Sequence, residues 1–116
     1  MSGEINQLKL RLREFAAARD WDQFHSPKNL SMALIAEAAE LVEHFQWLTE
    51  EQSFNLKPDK RAEVETELAD ILLYLIRAAD KLDIDLIKAA NDKIEHNARK
   101  YPAEQVRGSA KKYTEY

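Results

Sequence analysis

The chain has 116 residues, which fits one domain, and its composition of 45% hydrophobic and 33% charged residues is ordinary for a globular protein. The absence of Cys excludes disulfides and thiolate metal sites, and no apolar run approaches the roughly 20 residues of a membrane span. The N-terminal Met-Ser-Gly-Glu lacks the apolar stretch of an export signal, so we expect a cytoplasmic protein with no membrane partner.

Four helices are predicted in chain order, because apolar residues recur at helical spacing and only two Gly and three Pro interrupt the chain. Ser26 and Pro27 give a capped start to the second helix, and Asp59 is a plausible cap for the third. Asp83 or Asp85 caps the fourth, which ends before Tyr101-Pro102. The first three predicted helices cover about 4–19, 27–48 and 59–82, the fourth runs from its Asp83 or Asp85 cap to about 100, and residues 102–116 are predicted to be irregular.

These elements predict an all-α fold: one antiparallel four-helix bundle-like domain over residues 1–116, with 103–116 as a C-terminal tail. Four helices of one protomer do not easily hide two Trp residues and a seam of mixed polarity. We therefore expect a subunit interface, and with it a homodimer or homotetramer.

Two carboxylate pairs, Glu37-x-x-Glu40 and Glu67-x-x-Asp70, each place two acids on one face of a predicted helix. The 26 residues between the pairs allow them to face each other across antiparallel helices. Four converging carboxylates form a set of hard oxygen ligands suited to Mg²⁺. A redox di-metal site is disfavoured, because such bundles use Glu-x-x-His, and neither pair is followed by His at that spacing.

Glu37 occupies an unexpected position in the second helix, on one seam with Leu34, Leu41 and His44 where the pattern favours an apolar residue. A buried carboxylate without a partner costs several kcal/mol, so something must offset it. A bound cation is one explanation. A salt bridge to Lys60, Arg61 or Arg77, or a polar residue that fixes helix register, is the alternative.

Charge is distributed unevenly, with a local net charge of −7 over residues 37–70 and +4 over residues 88–112. The first segment suits a metal and the second suits phosphates, although two solvated helix faces of opposite sign would give the same counts. Lys93 and Asn97, one turn apart, are candidates for phosphate and sugar contact. Nucleic-acid binding is disfavoured, since the chain carries a net charge of −4 and few bases.

Ring-bearing residues flank the second helix: Trp21, Phe24 and His25 precede it, and Trp47 follows it. They suit either core packing or stacking on a nucleobase. There is no P-loop, no dinucleotide-binding glycine motif and no nucleophile elbow. Catalysis by a nucleophilic Ser or Cys is therefore disfavoured. For a hydrolase with these residues, a water activated by a metal ion is the remaining route.

The residues match a family. E-x-x-E followed by E-x-x-D resembles the all-α NTP pyrophosphohydrolases of the MazG-like superfamily, and within it the dCTP pyrophosphatases. The likeness spans nearly the whole chain in order. The segments that carry it are residues 14–17, 19–25, 27, 29–30, 37–40, 45–47, 67–75, 93, 97, 101–103 and 112–115.

The resemblance implies hydrolysis of a nucleoside triphosphate, most closely dCTP or modified dCTP, to the monophosphate and pyrophosphate, as part of nucleotide-pool sanitation. It implies Mg²⁺ held by four catalytic carboxylates and a nucleotide contacted by six further residues. The carboxylates are Glu37, Glu40, Glu67 and Asp70, and the nucleotide-binding residues are Trp21, His25, Trp47, Tyr74, Lys93 and Asn97.

One departure bears on base preference: vertebrate members carry a His where this chain has Leu12. A pyrophosphohydrolase that prefers a different base is therefore one alternative. The other, from a different class, is a non-catalytic helical interaction module whose acids only set helix register.

Overall fold

The computed structural model describes residues 3–110, and this part of the chain is all-α, without strands. Six α-helices and one 3-10 turn account for its regular structure. The helices are α1 Glu4–Ala18, α2 Pro27–Phe45, α3 Glu50–Ser53, α4 Pro58–Lys81, α5 Leu86–Lys100 and α6 Ala103–Val106, and the 3-10 turn is Asp22–Phe24. The predicted all-α class is confirmed.

Two short helices were not predicted. Thr49 and Gln52 form a reciprocal capping box that starts α3 inside the expected connection, which is the local signal for a helix start. The helix α6 lies in a segment predicted to be irregular, directly after Pro102, where a proline before the first turn is compatible with helix. The rest of the predicted tail, from residue 111, lies outside the described residues.

The caps of the long helices follow local chemistry, with one correction. The Ser26 side chain accepts from the Asn29 amide at 3.1 Å, and the Asp85 side chain accepts from the Lys88 amide at 3.0 Å. Asp59 is not the cap of α4. That position belongs to Lys57, because Pro58 takes the first helical position and forces the residue before it into an extended conformation.

The end of α1 sets the path to the second helix. Asp20 adopts φ +53°, the Trp21 amide donates to the Ala16 carbonyl at 2.9 Å, and the Asp20 amide donates to Ala17 at 3.2 Å. This pair of bonds is a Schellman motif, which stops a helix and redirects the chain. It delivers Trp21 and the 3-10 turn to a position before α2.

The helices α2 and α4 form the main packing pair, and α1 packs on α4. The pair is antiparallel, since His44 lies beside Lys60 and Glu63 while Glu37, one to two turns earlier in α2, lies beside Asp70. The small core includes Leu30, which is 2% exposed, with Val64 and Ile76 from α4.

The burial pattern of α4 differs from the simplest expectation for an amphipathic helix. Glu67 and Arg77 are 9% and 5% exposed, whereas large apolar residues on the same helix stay open to solvent. Exposed apolar side chains also lie on α1, α2 and the connections. They include Leu10, Phe15, Met32, Ile35, Val42, Trp47 and Phe54, and the exposed apolar residues of α4 include Leu68, Leu72 and Leu75.

The chain divides into two compact units, residues 1–83 and residues 84–116. The first, as far as it is described, contains α1 to α4, and the second contains α5 and α6. Over residues 3–110, no helix combines the length and apolar character needed to cross a membrane.

Candidate metal and nucleotide site

Three of the four predicted carboxylates converge between α2 and α4. Glu37 lies on α2, and Glu67 and Asp70 lie one turn apart on α4. One carboxylate oxygen from each lies within 4.8 Å of the other two. The fourth, Glu40, lies one turn after Glu37 and is close enough to Glu67 for their carboxyls to share a hydrogen bond when one is protonated. The antiparallel packing of the two E-x-x-acid motifs produces this convergence.

The cluster is electrostatically strained. The pKa of Glu67 rises to about 7, first through the hydrogen bond with Glu40, then through burial and the neighbouring negative charges. Burial is the main cause that raises the pKa of Glu37, followed by its interactions with Glu40 and Asp70. One oxygen of Glu37, Oε2, is buried with no hydrogen-bond partner. An unpaired buried carboxylate oxygen is costly and marks a position where a cation fits.

The salt bridges that would have explained Glu37 without a metal are not formed within the described residues. Lys60 contacts His44 and Glu63, at 3.3 and 3.4 Å. Arg61 pairs with Glu65 at 3.6 Å, and Arg77 makes its contacts more than one helical turn beyond Asp70. The three protein cations considered as partners of Glu37 are thus engaged elsewhere.

An open groove of about 440 Å³ borders the cluster. Glu40 and Glu67 reach it from the carboxylate cluster, and the groove continues toward the turn where His44 meets Glu63. Its other lining residues are Glu43 and Thr66. A groove of this size, lined mainly by glutamates, admits a ligand that carries its own cation, such as a phosphate group bound to a metal ion.

The donor set fits a divalent cation of the Mg²⁺ type. Its atoms are carboxylate oxygens, which are hard ligands, and neither sulfur nor imidazole takes part. A dipositive ion would pair the orphaned Glu37 oxygen and remove the repulsion that raises the pKa values of Glu37 and Glu67.

A second polar cluster, which we call the Arg77 cluster, lies further along α4. Arg77 donates from Nη2 to Asp22 Oδ1 at 2.5 Å and from Nε to His25 Nδ1 at 3.1 Å, and its Nη1 lies 3.6 Å from Asp80 Oδ2. Lys81 donates to the same Asp22 oxygen at 2.6 Å. The remaining member, Arg13 on α1, donates twice to Asp80, at 2.6 and 2.8 Å.

The Arg77 cluster has the opposite electrostatics to the carboxylate cluster. Hydrogen bonds from Lys81 and Arg77 lower the pKa of Asp22, and the hydrogen bond from Arg13 lowers the pKa of Asp80. The sequence indicated Arg77 only as a possible partner of Glu37 and did not predict these contacts. The 4-3-4-3 spacing of Glu63, Glu67, Asp70, Tyr74 and Arg77 places the Arg on the same helix face as the acids, but it gives no signal for partners on other elements.

The predicted aromatic residues occupy distinct environments. Trp21 packs edge-to-face against Phe15, with ring centroids 5.7 Å apart, and remains partly exposed. Tyr74 is half-buried on α4, between the levels of Asp70 and Arg77. Trp47 follows α2 and is 86% exposed, so little of it is used in the packing of its own chain.

Lys93 and Asn97 lie one turn apart on α5, and both are exposed. They belong to the second unit, and their contact with a nucleotide stays a prediction. Residues 112–115, which contributed to the family resemblance, lie outside the described residues.

Comparisons with known proteins agree with this geometry. The chain is 46% identical to dCTP pyrophosphatase 1 of Homo sapiens and 47% identical to that of Bos taurus, each over 104 residues and 88% of this chain. It spans only about three fifths of those relatives, 61% and 62% of their lengths.

A crystal structure of a pyrophosphatase from Archaeoglobus fulgidus matches with a TM-score of 0.81 and 40% identity. The match covers 88% of this chain and 95% of the archaeal one. The model of the MazG-like family matches residues 33–116, which include both carboxylate pairs. The chain therefore belongs to the MazG-like family.

Proposed function

We propose that the protein is a Mg²⁺-dependent nucleoside triphosphate pyrophosphohydrolase that acts on dCTP and modified dCTP. One observation carries the proposal: within the described residues, Glu37, Glu67 and Asp70 converge and one Glu37 oxygen is buried without a partner, in a chain nearly half identical to a dCTP pyrophosphatase. The archaeal pyrophosphatase supports the same reaction class through a structure that covers most of both chains.

Glu37, Glu67 and Asp70, with Glu40 beside them, are the residues that would hold Mg²⁺. When bound, the ion supplies Lewis acidity and offsets the negative charge of the triphosphate. The carboxylates contribute by fixing its position from two helices that pack together.

Glu40 is the proposed general base. It is the most open of the four carboxylates, and it faces the groove. It takes a proton from the water that attacks the α phosphorus. One P–O bond forms to that water, and the bond between the α phosphorus and the bridging oxygen breaks. The products are the nucleoside monophosphate and pyrophosphate.

The nucleoside part of the substrate is assigned to aromatic and polar side chains. Trp47 can stack on a base, since it packs little against its own chain. Trp21 and Tyr74 border the same substrate. His25 donates a hydrogen bond, and Lys93 and Asn97 contact phosphate and sugar from α5.

We also propose that the working form is a homodimer or homotetramer. Met32, Ile35 and Val42 recur at helical spacing on an exposed face of α2, and Phe54 is 86% exposed. A monomeric protein seldom exposes such an apolar stripe to water, so we expect a second copy of the chain to pack against it. Sedimentation should give a dimer or larger species, and Ile35→Glu should shift it toward monomer. A wild-type monomer at micromolar concentration would exclude the assembly.

We further propose that residues 1–116 form a single domain. The proposal also includes a role in nucleotide-pool sanitation and a cytoplasmic location. The family model supports the single domain, since its match includes α2, α4 and α5 and so crosses both compact units.

The direct test is pyrophosphate release from a panel of dNTPs and NTPs, with Mg²⁺ or with EDTA, followed by the mass of the product. We expect dCMP and pyrophosphate, greatest with dCTP or 5-substituted dCTP, and no release in EDTA. Activity on another base would keep the reaction and move the explanation to Leu12. No release from folded protein with any nucleotide would favour the non-catalytic helical module, whose melting temperature would not respond to Mg²⁺ plus nucleotide.

A further inference from the structure

The bond between Arg77 and His25 fixes the proton of the His25 ring. Arg77 Nε donates to His25 Nδ1 at 3.1 Å. A guanidinium is always charged and has no acceptor, so Nδ1 must be the unprotonated nitrogen. The single proton of the neutral imidazole then sits on Nε2, and the ring presents an N–H donor on its other side.

The guanidinium of Arg77 is itself held in place. Its three nitrogens face three different partners: Nη2 donates to Asp22, Nη1 lies near Asp80, and Nε faces His25. Asp80 is only 10% exposed and is also bound by Arg13. A rigid fork of donors anchored by two carboxylates keeps Nε directed at the imidazole.

The charged groups that face His25 also favour the neutral ring. Burial and the positive charges of Arg77 and Lys81 lower the pKa of His25, and Asp22 opposes them with a smaller effect. Over residues 3–110 the ring makes no other hydrogen bond, and its Nε2 is not a buried unpaired atom. The donor on Nε2 is therefore available to a ligand.

The position of this donor suits the nucleoside end of a bound nucleotide. Asp70, Tyr74 and Arg77 follow each other at spacings of four and three on one stripe of α4. The separation of seven positions between Asp70 and Arg77 corresponds to about 10.5 Å along the helix. With the phosphates bound at the carboxylate cluster, the sugar and base of a nucleotide would lie about this far along α4. His25 lies at the same level, because it is hydrogen-bonded to Arg77.

We propose that Arg77 is a positioning residue that holds His25 as a neutral Nε2–H donor for an uncharged acceptor of the nucleoside, a base carbonyl or a sugar oxygen. The inference rests on the proposed function. An imidazolium would attract the triphosphate as well, whereas a neutral donor leaves the phosphates to the metal end of the site.

Two substitutions of His25 separate the donor role from simple packing. The amide nitrogen of His25→Gln reaches the place of Nε2, whereas the amide oxygen of His25→Asn takes the place of Nδ1 and preserves the acceptor for Arg77. With dCTP, we expect the KM of His25→Asn to lie about tenfold above that of His25→Gln, with kcat similar in the two. The opposite order would show that His25 serves only as a partner of Arg77.

Arg77→Lys tests the positioning residue itself. Lysine keeps one positive charge but not the fork, so we expect a raised KM with kcat little changed, and a mixture of His25 tautomers by ¹⁵N NMR. In the wild-type chain, the same spectra should show His25 neutral with the proton on Nε2 at pH 6 to 8, with exposed His96 as the internal comparison. A proton on Nδ1 would overturn the inference whether or not Arg77→Lys folds.

The two proposals fail in different ways. A wild-type protein that hydrolyses no nucleotide removes the proposed function, and NMR still reads the Arg77–His25 pair. An active enzyme in which His25→Asn performs as well as His25→Gln removes only this inference. Adding Mg²⁺ and a dCTP analogue with a non-hydrolysable α–β bridge should shift the His25 Nε2 signal, and an unchanged signal in the presence of bound analogue would also overturn it.

Discussion

Two polar clusters share one helix, α4, and their charges are balanced in opposite ways. The carboxylate cluster brings Glu37, Glu67 and Asp70 together without a protein cation, and the pKa values of Glu37 and Glu67 rise. The Arg77 cluster pairs each of its aspartates with two bases, and their pKa values fall.

The difference separates the proposed binding site from a scaffold. Groups that stabilise each other need no ligand, so the Arg77 cluster holds α1, the 3-10 turn and α4 together. Groups that repel each other at the cost of stability are typical of functional sites, where a ligand supplies the missing charge. The four predictions below break one cluster at a time, from the largest expected effect to the smallest.

Glu67→Gln should reduce kcat/KM for dCTP by about a thousandfold, because it removes a negative ligand from the proposed metal site. Glu65→Gln is the matched control on the same helix, since Glu65 is exposed and its ion pair is a surface contact with Arg61 at 3.6 Å. It should stay within about twofold of wild type. Equal activity of the two variants would contradict the assignment of the carboxylate cluster.

Arg77→Met should lower the free energy of unfolding by about 3 kcal/mol, because it leaves Asp80 and Asp22 with fewer partners in a part-buried site. Arg61→Met, which breaks an exposed pair, should change it by less than about 1 kcal/mol. Urea unfolding curves measure both. Similar small losses for the two variants would show that the Arg77 cluster does not act as a scaffold.

The stability of the metal-free protein should depend on pH through Glu67. Its pKa is about 7 in the folded chain, against the ordinary pKa of 4.5 for a glutamate side chain, so the folded state binds the proton more tightly. Ionising Glu67 therefore lowers the free energy of unfolding above pH 4.5, and this loss of stability grows as the pH rises through 7. In EDTA, the melting temperature of Glu67→Gln should exceed that of wild type by a margin that widens from pH 5 to pH 8. A constant margin would contradict the raised pKa.

Asp22→Asn should show a smaller effect with the opposite pH dependence. The pKa of Asp22 in the folded chain lies below 3.8, the ordinary value for an aspartate side chain. Its ion pairs therefore stabilise the fold above pH 3.8, and this contribution fades as the pH falls through the folded pKa. The variant should melt below wild type at pH 6, and the difference should shrink below pH 3.8. A difference that persists at pH 2 would assign the effect to packing.

The sequence was sufficient for the long helices, because apolar spacing and the caps at Ser26 and Asp85 are local signals. It also predicted that Glu37 faces a partner helix, since that position interrupts an apolar seam. It did not decide between a metal and a salt bridge for Glu37, because the answer depends on where Lys60 and Arg77 point in three dimensions.

The Arg77 cluster lay beyond sequence reasoning for a related reason. Apart from the Arg77–Asp80 pair within α4, its contacts join residues 52 to 67 positions apart, and a pattern within one helix carries no information about partners at that separation. The exposure of Leu68 and Leu75 likewise does not follow from the helical pattern of α4, on which Glu67 and Arg77 are more buried than either leucine.

The most direct test of the central claim, that the carboxylate cluster is completed by a divalent cation, is a melting experiment on wild type and Glu67→Gln at pH 7.5. In EDTA the variant should melt higher, because it carries one repelling charge fewer. With 5 mM Mg²⁺ added in excess of the chelator, wild type should gain several degrees and the variant little or nothing. A variant that melts below wild type in EDTA, with the same Mg²⁺ response in both proteins, would contradict the claim.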